Sequence, residues 1–317
     1  MTEPESIAQL PRLTLSSPEA GGVEAVFVPG AGMVGCSLRH RGAELLGQRG
    51  GLEAYVAERK TMGIPLLYPW ANRLGSRRFT VAGHEVVIDP ASTPLRLDDD
   101  GLPMHGLLSA VDGWQVEDHD DTTLRARFDF GAHEQLIAAF PFAHELRFEA
   151  ALTGATLTIA TTVLATGGAP VPIAFGFHPY LRLPGVDRSD WEVEIPVGEQ
   201  LRLDTRMLPT GERVAAHVAP GRLNGRTFDH AYTAPRDGAP FVLAGGGRRI
   251  ELAFEAGYPY AQVFAPAEDD VIAFEPMTAP TNALVDGGSE LPLVAPGDTY
   301  RAAFSISISD ASERAAG

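Results

Sequence analysis

Alternation of apolar and polar residues with a period of two runs through most of this chain. Because successive side chains of a β-strand point to opposite faces of a sheet, this period predicts strands that are buried on one face. Turn-forming sequences such as TGGAP, RDGAP and VDGGSE separate the alternating segments. The clearest predicted strands are residues 123–130, 144–152, 156–165, 248–256 and 299–309.

Helical periodicity is confined to GLEAYVAERK (51–60), for which we predict a turn or two of helix. The sequence therefore predicts an all-β fold with few short helices, in which two large sheets pack together. The 34 glycines and 25 prolines are typical of many strands joined by tight turns. We find no linker, repeat or low-complexity tract. Residues 1–317 are therefore expected to form one domain, with frayed ends at 1–12 and 311–317.

The charge balance of the chain limits its partners. A formal net charge of −16 argues against binding to nucleic acid or to an anionic membrane, since both select basic patches. Cys36 is the only cysteine, so no internal disulfide requires an oxidising compartment. The N-terminal sequence lacks the basic and apolar regions of a signal peptide, and no apolar run predicts a transmembrane helix. We therefore expect a cytoplasmic protein, whose oligomeric state the sequence does not indicate.

The stretch PVPIAFGFHPYLRLPG (170–185) places one histidine in an apolar strand. If residues 172–178 are a strand, His178 shares its face with Ala174 and Gly176, and these small residues leave open space beside the imidazole. Pro179 favours an extended backbone at His178. A ligand pocket would suit such a histidine. The alternative is a structural histidine that is buried and hydrogen-bonded to a neighbour.

A second stretch, DVIAFEPMTAP (270–280), repeats this arrangement with Glu275. The carboxylate ends an apolar strand, follows Ala273 on the same face, and precedes a proline. A buried carboxylate is costly unless it is paired or functional. A salt bridge to an arginine is the alternative. Together, His178 and Glu275 form a candidate pair for general acid and general base catalysis.

Four further polar residues follow or interrupt apolar segments, and each alone is weaker evidence. Asn72 and Arg73 end the apolar segment at 63–71, His105 precedes a glycine, and Asp229 lies in NGRTFDHAYT (224–233). Their alternatives are a turn-capping asparagine, a surface arginine, a structural histidine and an Asx-turn.

Sequence motifs of several other chemistries are not found. HEVVI and HEQLI lack the second histidine of a zinc-peptidase motif, and the chain has neither a Walker A nor a dinucleotide-binding fingerprint. Cys36 is distant in sequence from the candidate residues. We predict that it packs in the core rather than acting as a nucleophile.

Five stretches of the chain carry a resemblance to a known family. They are GIPLLYPWANRLGSRRF (63–79), MHGLLSAVDGW (104–114), FGFHPYLRL (175–183), FDHAYT (228–233) and IAFEPMTAPTNAL (272–284). In their sequence and their order, these stretches resemble the aldose 1-epimerase or galactose mutarotase-like family. The resemblance implies a large antiparallel β-sandwich, the galactose mutarotase-like supersandwich, with a sugar site on a concave sheet. It also implies a small sugar as the substrate and no metal or organic cofactor.

The resemblance further implies roles for the candidate residues. His178 would be the general acid that protonates the ring oxygen of a pyranose, and Glu275 the general base that accepts the proton of the C1 hydroxyl. Sugar hydroxyls and the ring oxygen would be bound by the remaining candidates, which are Asn72, Arg73, His105 and Asp229. Trp70 and Tyr180 could stack on a sugar, although core packing is the commoner use of such residues.

The substrate is less well indicated than the reaction. Residues beside His178 and after Glu275 depart from the pattern of galactose-specific members, so the chain resembles a divergent bacterial-type member. One alternative is a hexose-6-phosphate 1-epimerase, with its phosphate clamp drawn from Arg73, Arg77, Arg78 and Arg182. We expect Arg77 and Arg78 in a solvated turn instead. Another alternative is a non-catalytic sugar-binding protein, which would need neither a proton donor nor a base.

Overall fold

The computed structural model describes residues 7–310. Of the ends that we expected to fray, residues 1–6 and 311–317 lie outside this range, and Ile7–Gln9 form a short 3₁₀ helix. The described α-helices are α1 (Gly51–Glu58), α2 (Glu134–Ala139) and α3 (Ala283–Asp286). No helix in residues 7–310 is long and apolar enough to cross a membrane.

Strands make up most of the regular structure. Those before residue 166 are β1 (Leu13–Ser17), β2 (Val23–Val28), β3 (Val34–His40), β4 (Ala43–Glu44), β5 (Leu66–Leu67), β6 (Arg78–Val81), β7 (His84–Val87), β8 (Arg96–Leu97), β9 (Pro103–Met104), β10 (Gln115–His119), β11 (Thr123–Asp129), β12 (His144–Thr153) and β13 (Thr156–Ala165). Those that follow are β14 (Val171–Pro172), β15 (Gly176–Phe177), β16 (Tyr180–Leu181), β17 (Glu192–Glu194), β18 (Glu199–Leu203), β19 (Pro209–Ala215), β20 (Gly221–Arg222), β21 (Phe228–Thr233), β22 (Phe241–Gly245), β23 (Arg248–Ala256), β24 (Tyr260–Ala265), β25 (Ile272–Met277), β26 (Leu293–Val294) and β27 (Thr299–Asp310).

Two large sheets dominate the architecture. The nine-stranded sheet has the order β10-β11-β12-β13-β27-β23-β22-β17-β20, and the eight-stranded sheet has the order β19-β18-β21-β24-β25-β15-β5, with β16 also paired to β25. Strands β1 to β4 form a third sheet. All pairings between these strands are antiparallel. The prediction of an all-β antiparallel fold with few short helices is confirmed.

Aromatic rings on the facing sides join the two large sheets. The ring centroid of Phe177 in β15 lies 5.0 Å from that of Phe304 in β27, and Phe274 of β25 lies 5.1 Å from Phe241 of β22. All four side chains are at most 1% exposed. Burying one such ring stabilises the fold by about 1.5–3 kcal/mol. This packing covers one face of the eight-stranded sheet, and its other face carries the polar side chains described below.

The predicted strand over residues 172–178 is the least regular of those expected. The structure divides it, and only Gly176–Phe177 (β15) is extended in the eight-stranded sheet. The prolines on either side lack the amide that a ladder needs. Neighbouring backbone groups bond outside the sheet instead, as where the Ala174 carbonyl accepts from the amide of Ala71. The alternation nevertheless persists, because Phe175 and Phe177 lie in the main core.

Candidate active site

One face of the eight-stranded sheet carries a group of polar side chains. Glu275 of β25 pairs with Gln262 of β24, and Phe264, two residues further along β24, pairs with Asp229 of β21. Residues directly opposite one another in an antiparallel pair share a face, as do alternate residues along a strand. Glu275, Gln262 and Asp229 therefore project from one face, opposite to the face on which Phe274 packs.

His178 reaches this face from the short connection between β15 and β16. Its amide donates to the carbonyl of Pro65 at 3.2 Å rather than to a sheet neighbour. His178 is 4% exposed and Glu275 is 1% exposed. Nε2 of His178 lies 3.2 Å from Oε1 of Glu275. An imidazole and a carboxyl group thus meet in a buried environment.

Burial shifts the pKa values of this pair in opposite directions. It lowers the pKa of His178 well below 6.5, and it raises the pKa of Glu275 well above 4.5. The nearby carboxylate of Asp229 raises the pKa of Glu275 further, whereas the positive charge of Arg73 lowers it. Both shifts favour the uncharged pair, in which Glu275 carries the proton and His178 is neutral.

Asp229 and Gln262 form a second polar pair beside the first. The side-chain amide of Gln262 donates to Oδ1 of Asp229 at 2.6 Å. Burial raises the pKa of Asp229, and the hydrogen bond from Gln262 opposes this effect. The bond therefore supports the carboxylate form of Asp229 and fixes the orientation of the Gln262 amide.

Two loops bring the other predicted residues to the site. The amide of His105 donates to the carbonyl of Asn72 at 2.8 Å, and both residues have positive φ, 62° and 53° respectively. Arg73 forms an isolated bridge with Met104, and its Nε donates to Asp98 at 2.8 Å. These contacts hold the segment that follows β5 against β9 and against His105, which follows it.

The ring of His105 lies against His178. Their centroids are 5.8 Å apart, with an interplanar angle of 83°. Burial lowers the pKa of His105 to about 3, and the charges of Arg96, Arg73 and Arg49 act in the same direction. His105 is therefore neutral at physiological pH, so that one ring nitrogen donates a hydrogen bond and the other accepts one.

Several buried polar atoms in this group have no hydrogen-bond partner among residues 7–310. They are Nδ1 of His105, Nδ1 of His178, Oε1 of Gln262 and Oε2 of Glu275. Leaving a buried polar atom unpaired costs about 1–3 kcal/mol, and native proteins contain few such atoms. Eight further atoms of this kind belong to other residues within 7–310, but these four lie on side chains that share one site. Their proximity indicates a site for a ligand rich in hydrogen-bonding groups.

The family model described as Aldose 1-epimerase matches residues 12–307. The chain belongs to the aldose 1-epimerase family. No significant match is found among curated proteins.

Solved structures show the same fold at low sequence identity. A protein from Synechocystis sp. PCC 6803 is 23% identical, with a TM-score of 0.75 over 98% of this chain and 100% of that one. A galactose mutarotase-like protein from Clostridium acetobutylicum is 17% identical, with a TM-score of 0.79 over 95% and 99%. A galactose 1-epimerase from Lactobacillus acidophilus NCFM is 15% identical, with a TM-score of 0.70 over 95% and 99%.

In this aldose 1-epimerase family member, all six predicted site residues lie in or beside one cluster. His178 and Glu275 are in contact, and Asp229 and Arg73 act electrostatically on Glu275. His105 packs on His178, and Asn72 holds the His105 amide. The alternatives for two residues do not apply. Asp229 lies within β21 rather than in an Asx-turn, and among residues 7–310 Glu275 contacts His178 and forms no salt bridge with an arginine.

One prediction about the space beside His178 is wrong. We expected Gly176 to leave that space open. A Cβ atom at Gly176 would lie 2.5 Å from the carbonyl oxygen of Pro276 and 3.1 Å from Cβ of Ala71. Adjacent backbone therefore fills this space, because β15 and β25 are paired there.

Gln262 and Phe264 were missed in the sequence, and Tyr180 was considered for stacking on a sugar rather than on His178. Gln262 is a buried polar residue in the otherwise apolar strand YAQVFA, and this interruption could have identified it. Tyr180 stacks on His178, with centroids 4.0 Å apart, and Phe264 contacts the edge of the same imidazole. Apolar and aromatic residues in strands are usual in any core, so no local signal distinguished these two.

The other residues singled out in the sequence lie outside this cluster. Arg77 and Arg78 are exposed, as expected, but Arg78 begins strand β6 rather than lying in a turn, and it pairs with Glu85 of β7. Trp70 belongs to the main core. Cys36 is 7% exposed in a small apolar cluster, as predicted.

Proposed function

We propose that this protein is an aldose 1-epimerase, which interconverts the α and β anomers of a free aldose. The observation that carries this proposal is the buried contact between His178 and Glu275, surrounded by unpaired polar atoms. Mutarotation needs one proton donor, one proton acceptor and a bound sugar. His178 and Glu275 supply the donor and the acceptor, and the unpaired polar atoms around them suit the hydroxyl groups of a sugar.

Ring opening transfers two protons. Glu275 accepts the proton of the C1 hydroxyl, the O1–H electron pair forms the carbonyl, and the bond between C1 and the ring oxygen breaks. His178 protonates the departing ring oxygen. Rotation about the C1–C2 bond then presents the other face of the aldehyde, and closure reverses both proton transfers to give the other anomer.

The pKa directions match one half of this cycle. In the ligand-free site Glu275 carries the proton and His178 is neutral. This protonation state is the one needed for ring closure. In closure, the carboxylic acid protonates O1 and the imidazole accepts the proton of the C5 hydroxyl. Opening uses the opposite form, reached by moving one proton across the 3.2 Å contact. A single shared proton therefore serves both directions.

The remaining polar groups are suited to orient the sugar. Asp229 and the free oxygen of Gln262 accept hydrogen bonds from hydroxyls, while Arg73 and Asn72 donate them. Arg73 also favours the ionised form of Glu275 that ring opening requires. No step of this mechanism uses a metal or an organic cofactor.

Polarimetry or NMR of anomer interconversion tests the proposal. Wild type and Glu275→Gln are compared on pure α-glucose, α-galactose and glucose 6-phosphate. Acceleration by wild type that the variant loses is the expected result. Saturable sugar binding with anomer exchange at the spontaneous rate would instead support the non-catalytic sugar-binding protein.

A sugar phosphate is a second candidate substrate, and Arg96 is the observation that favours it. This half-buried residue acts electrostatically on His105 and His178. It has no ion-pair partner among residues 7–310, and it lines a pocket of about 210 Å³. The same pocket contains Arg73 and Arg206, which are paired with Asp98 and Asp204, and also Asp99 and Asp100, so Arg96 is the cation there that is left for a phosphate. If this pocket binds a phosphate, Arg96→Gln lowers kcat/KM for glucose 6-phosphate by about 10–100-fold and spares glucose. Equal effects on both sugars would contradict this candidate.

The cytoplasmic location and the single-domain organisation inferred from the sequence stay predictions. Size-exclusion chromatography with light scattering would give the oligomeric state, on which the sequence is silent.

A further inference from the structure

The imidazole of His178 lacks the bond that usually orients a histidine in proton transfer. One ring nitrogen of such a histidine ordinarily bonds to a carbonyl or carboxylate, which fixes the ring and its tautomer. Here Nε2 faces Glu275, while the buried Nδ1 has only the carbonyl of His178 itself beside it and makes no well-formed hydrogen bond with residues 7–310. The ring is therefore held mainly through its packing against other rings.

Tyr180 supplies the contact on the ring face. The two rings are stacked, with centroids 4.0 Å apart and an interplanar angle of 15°. Phe264 contacts the edge of the imidazole, with centroids 5.5 Å apart and an interplanar angle of 72°. Tyr180 also pairs with Ala273, two residues before Glu275 in β25. The stacking ring and the catalytic carboxyl group are thus fixed to the same strand.

Three polar residues anchor Tyr180 in turn. Its hydroxyl lies 2.6 Å from Oγ1 of Thr61 and accepts a hydrogen bond from Nη1 of Arg49 at 2.9 Å. The guanidinium carbon of Arg49 lies 4.9 Å from the centre of the tyrosine ring, within cation–π range. Arg49 is itself held by Asp269 at 3.1 Å. Burial raises the pKa of Tyr180 to about 12, so that its hydroxyl keeps its proton.

We propose that Tyr180, anchored by Arg49 and Thr61, is a positioning residue that fixes the His178 ring for proton transfer. The inference rests on the proposed epimerase function. It assigns Tyr180 to the histidine rather than to the sugar, because the tyrosine ring is stacked on the imidazole, lies within reach of Arg49 and belongs to a residue that is only 1% exposed.

Arg49 also links this anchor to the protonation of His178. Burial is the main cause of the low pKa of His178, and the positive charges of Arg49 and Arg96, with that of His105 when it is protonated, lower this pKa further. Glu275 is the acidic group in contact with the ring. A cation near the imidazole disfavours its charged form. Removing the charge of Arg49 therefore raises the pKa of His178.

Kinetics of paired variants test the positioning role. Tyr180→Phe keeps the stacked ring and loses both hydroxyl bonds, whereas Tyr180→Leu loses the stack. We expect kcat to fall by about 10–100-fold in Tyr180→Leu, because small displacements of a catalytic group have effects of this size. KM should change little. The loss of kcat in Tyr180→Phe should be smaller. Tyr258→Leu removes another buried ring and serves as the control, with wild-type kcat. A kcat of Tyr180→Leu equal to that of wild type, or a loss confined to KM, overturns the inference.

The pH profile tests the link to Arg49. In Arg49→Gln the acid limb of kcat/KM moves to higher pH, and in Arg49→Lys, which keeps the charge, it stays near its wild-type position. An unmoved limb in Arg49→Gln contradicts this part of the inference.

NMR of the ligand-free protein separates this inference from the proposed function. The ¹⁵N signals of His178 are expected to be sharp and to show one tautomer in wild type and Tyr180→Phe. In Tyr180→Leu they should broaden or show a tautomer mixture. Identical His178 signals in all three proteins overturn the positioning role, whatever the activity. Absence of anomer exchange in wild type, with the expected NMR changes, overturns the proposed function alone.

Discussion

At the scale of single residues, the site combines groups whose ordinary pKa values are altered by burial. His178 and Glu275 are each nearly inaccessible to solvent, so burial favours the neutral form of both. Moving the shared proton from Glu275 to His178 creates two buried charges, so burial opposes this transfer in the ligand-free site. The positive charge of Arg73 offsets part of this cost, because it favours the ionised form of Glu275.

Conservative substitutions of the pair test its catalytic role. His178→Gln and Glu275→Gln each remove a proton donor or acceptor while keeping a polar side chain of similar size. We expect turnover to fall by about 10²–10⁴-fold in each, with thermal unfolding close to that of wild type. Polarimetry of α-glucose would measure turnover, and circular dichroism would measure thermal unfolding. Loss of the folded state in either variant would favour a structural role for that residue.

The alkaline limb of the pH profile reports the environment of Glu275. Besides burial, which is the main cause, the charge of Asp229 raises the pKa of Glu275 and that of Arg73 lowers it. Activity is lost with rising pH when the pair loses its one proton. In Asp229→Asn this limb should therefore move to lower pH, and in Arg73→Met it should move to higher pH. The limb is read in kcat/KM, which reports the free enzyme. If the alkaline limbs of Asp229→Asn and Arg73→Met both moved in the same direction, these charge effects would be contradicted.

At the scale of elements, long strands were predictable and short ones were not. The five alternating segments correspond to β11, β12, β13, β23 and β27, with ends that agree within one residue. Each is long enough for a period of two to be visible. By contrast β5, β15 and β16 have two residues each, and they bring Tyr180 and the segment containing His178 beside β25. Their pairing depends on contacts between distant parts of the chain, which no local pattern shows.

The residues of the site likewise differ in how far they could be predicted from the sequence. Buried polar residues that interrupt apolar strands, such as His178 and Glu275, were visible in the sequence. Gln262 has the same signature but was overlooked. The stacking of Tyr180 on His178 could not be predicted, because it follows from the path of the chain around Pro179.

The connection after β9 depends on Gly106 and can be tested there. Gly106 has a φ of 74°, and a Cβ atom there would lie 2.1 Å from the carbonyl oxygen of Tyr68. Gly106→Ala should therefore destabilise the fold by more than the roughly 1 kcal/mol expected from positive φ alone, and it should displace His105 and lower activity. Gly154→Ala is the control, because Gly154 also has positive φ (57°) but no atom within 4 Å. Equal changes in the free energy of unfolding, measured in urea, would contradict the close approach.

At the scale of the whole molecule, the two faces of the eight-stranded sheet have separate tasks. One packs on the nine-stranded sheet through rings such as Phe177 and Phe274. The other holds Glu275, Gln262 and Asp229, so core packing fixes the strands from which these side chains project. This division explains how a site with unpaired buried polar atoms is tolerated, because the large apolar interface behind it provides the stability.

Buried neutral histidines make this stability depend on pH. Burial lowers the pKa of His144 to about 4, and its Nε2 lies 2.6 Å from the hydroxyl of Tyr68. His105, with a pKa of about 3, is affected in the same way. An unfolded chain binds protons at these histidines below about pH 6.5, whereas the folded chain does not. The contribution of these histidines to the free energy of unfolding is therefore fully present above about pH 6.5. It is lost as the pH falls from there toward the pKa values of the folded state.

The effect of His144 is large enough to measure. Its shift corresponds to about 3 kcal/mol between pH 7 and pH 4. The free energy of unfolding in urea should therefore fall steeply over this range in wild type. It should fall less in His144→Gln, which keeps polar atoms near Tyr68 but cannot titrate. His217→Gln alters an exposed histidine and should leave the wild-type slope unchanged. The same slope in His144→Gln as in wild type would show that His144 does not remain neutral in the folded protein, because a buried neutral histidine must contribute to the proton uptake on unfolding.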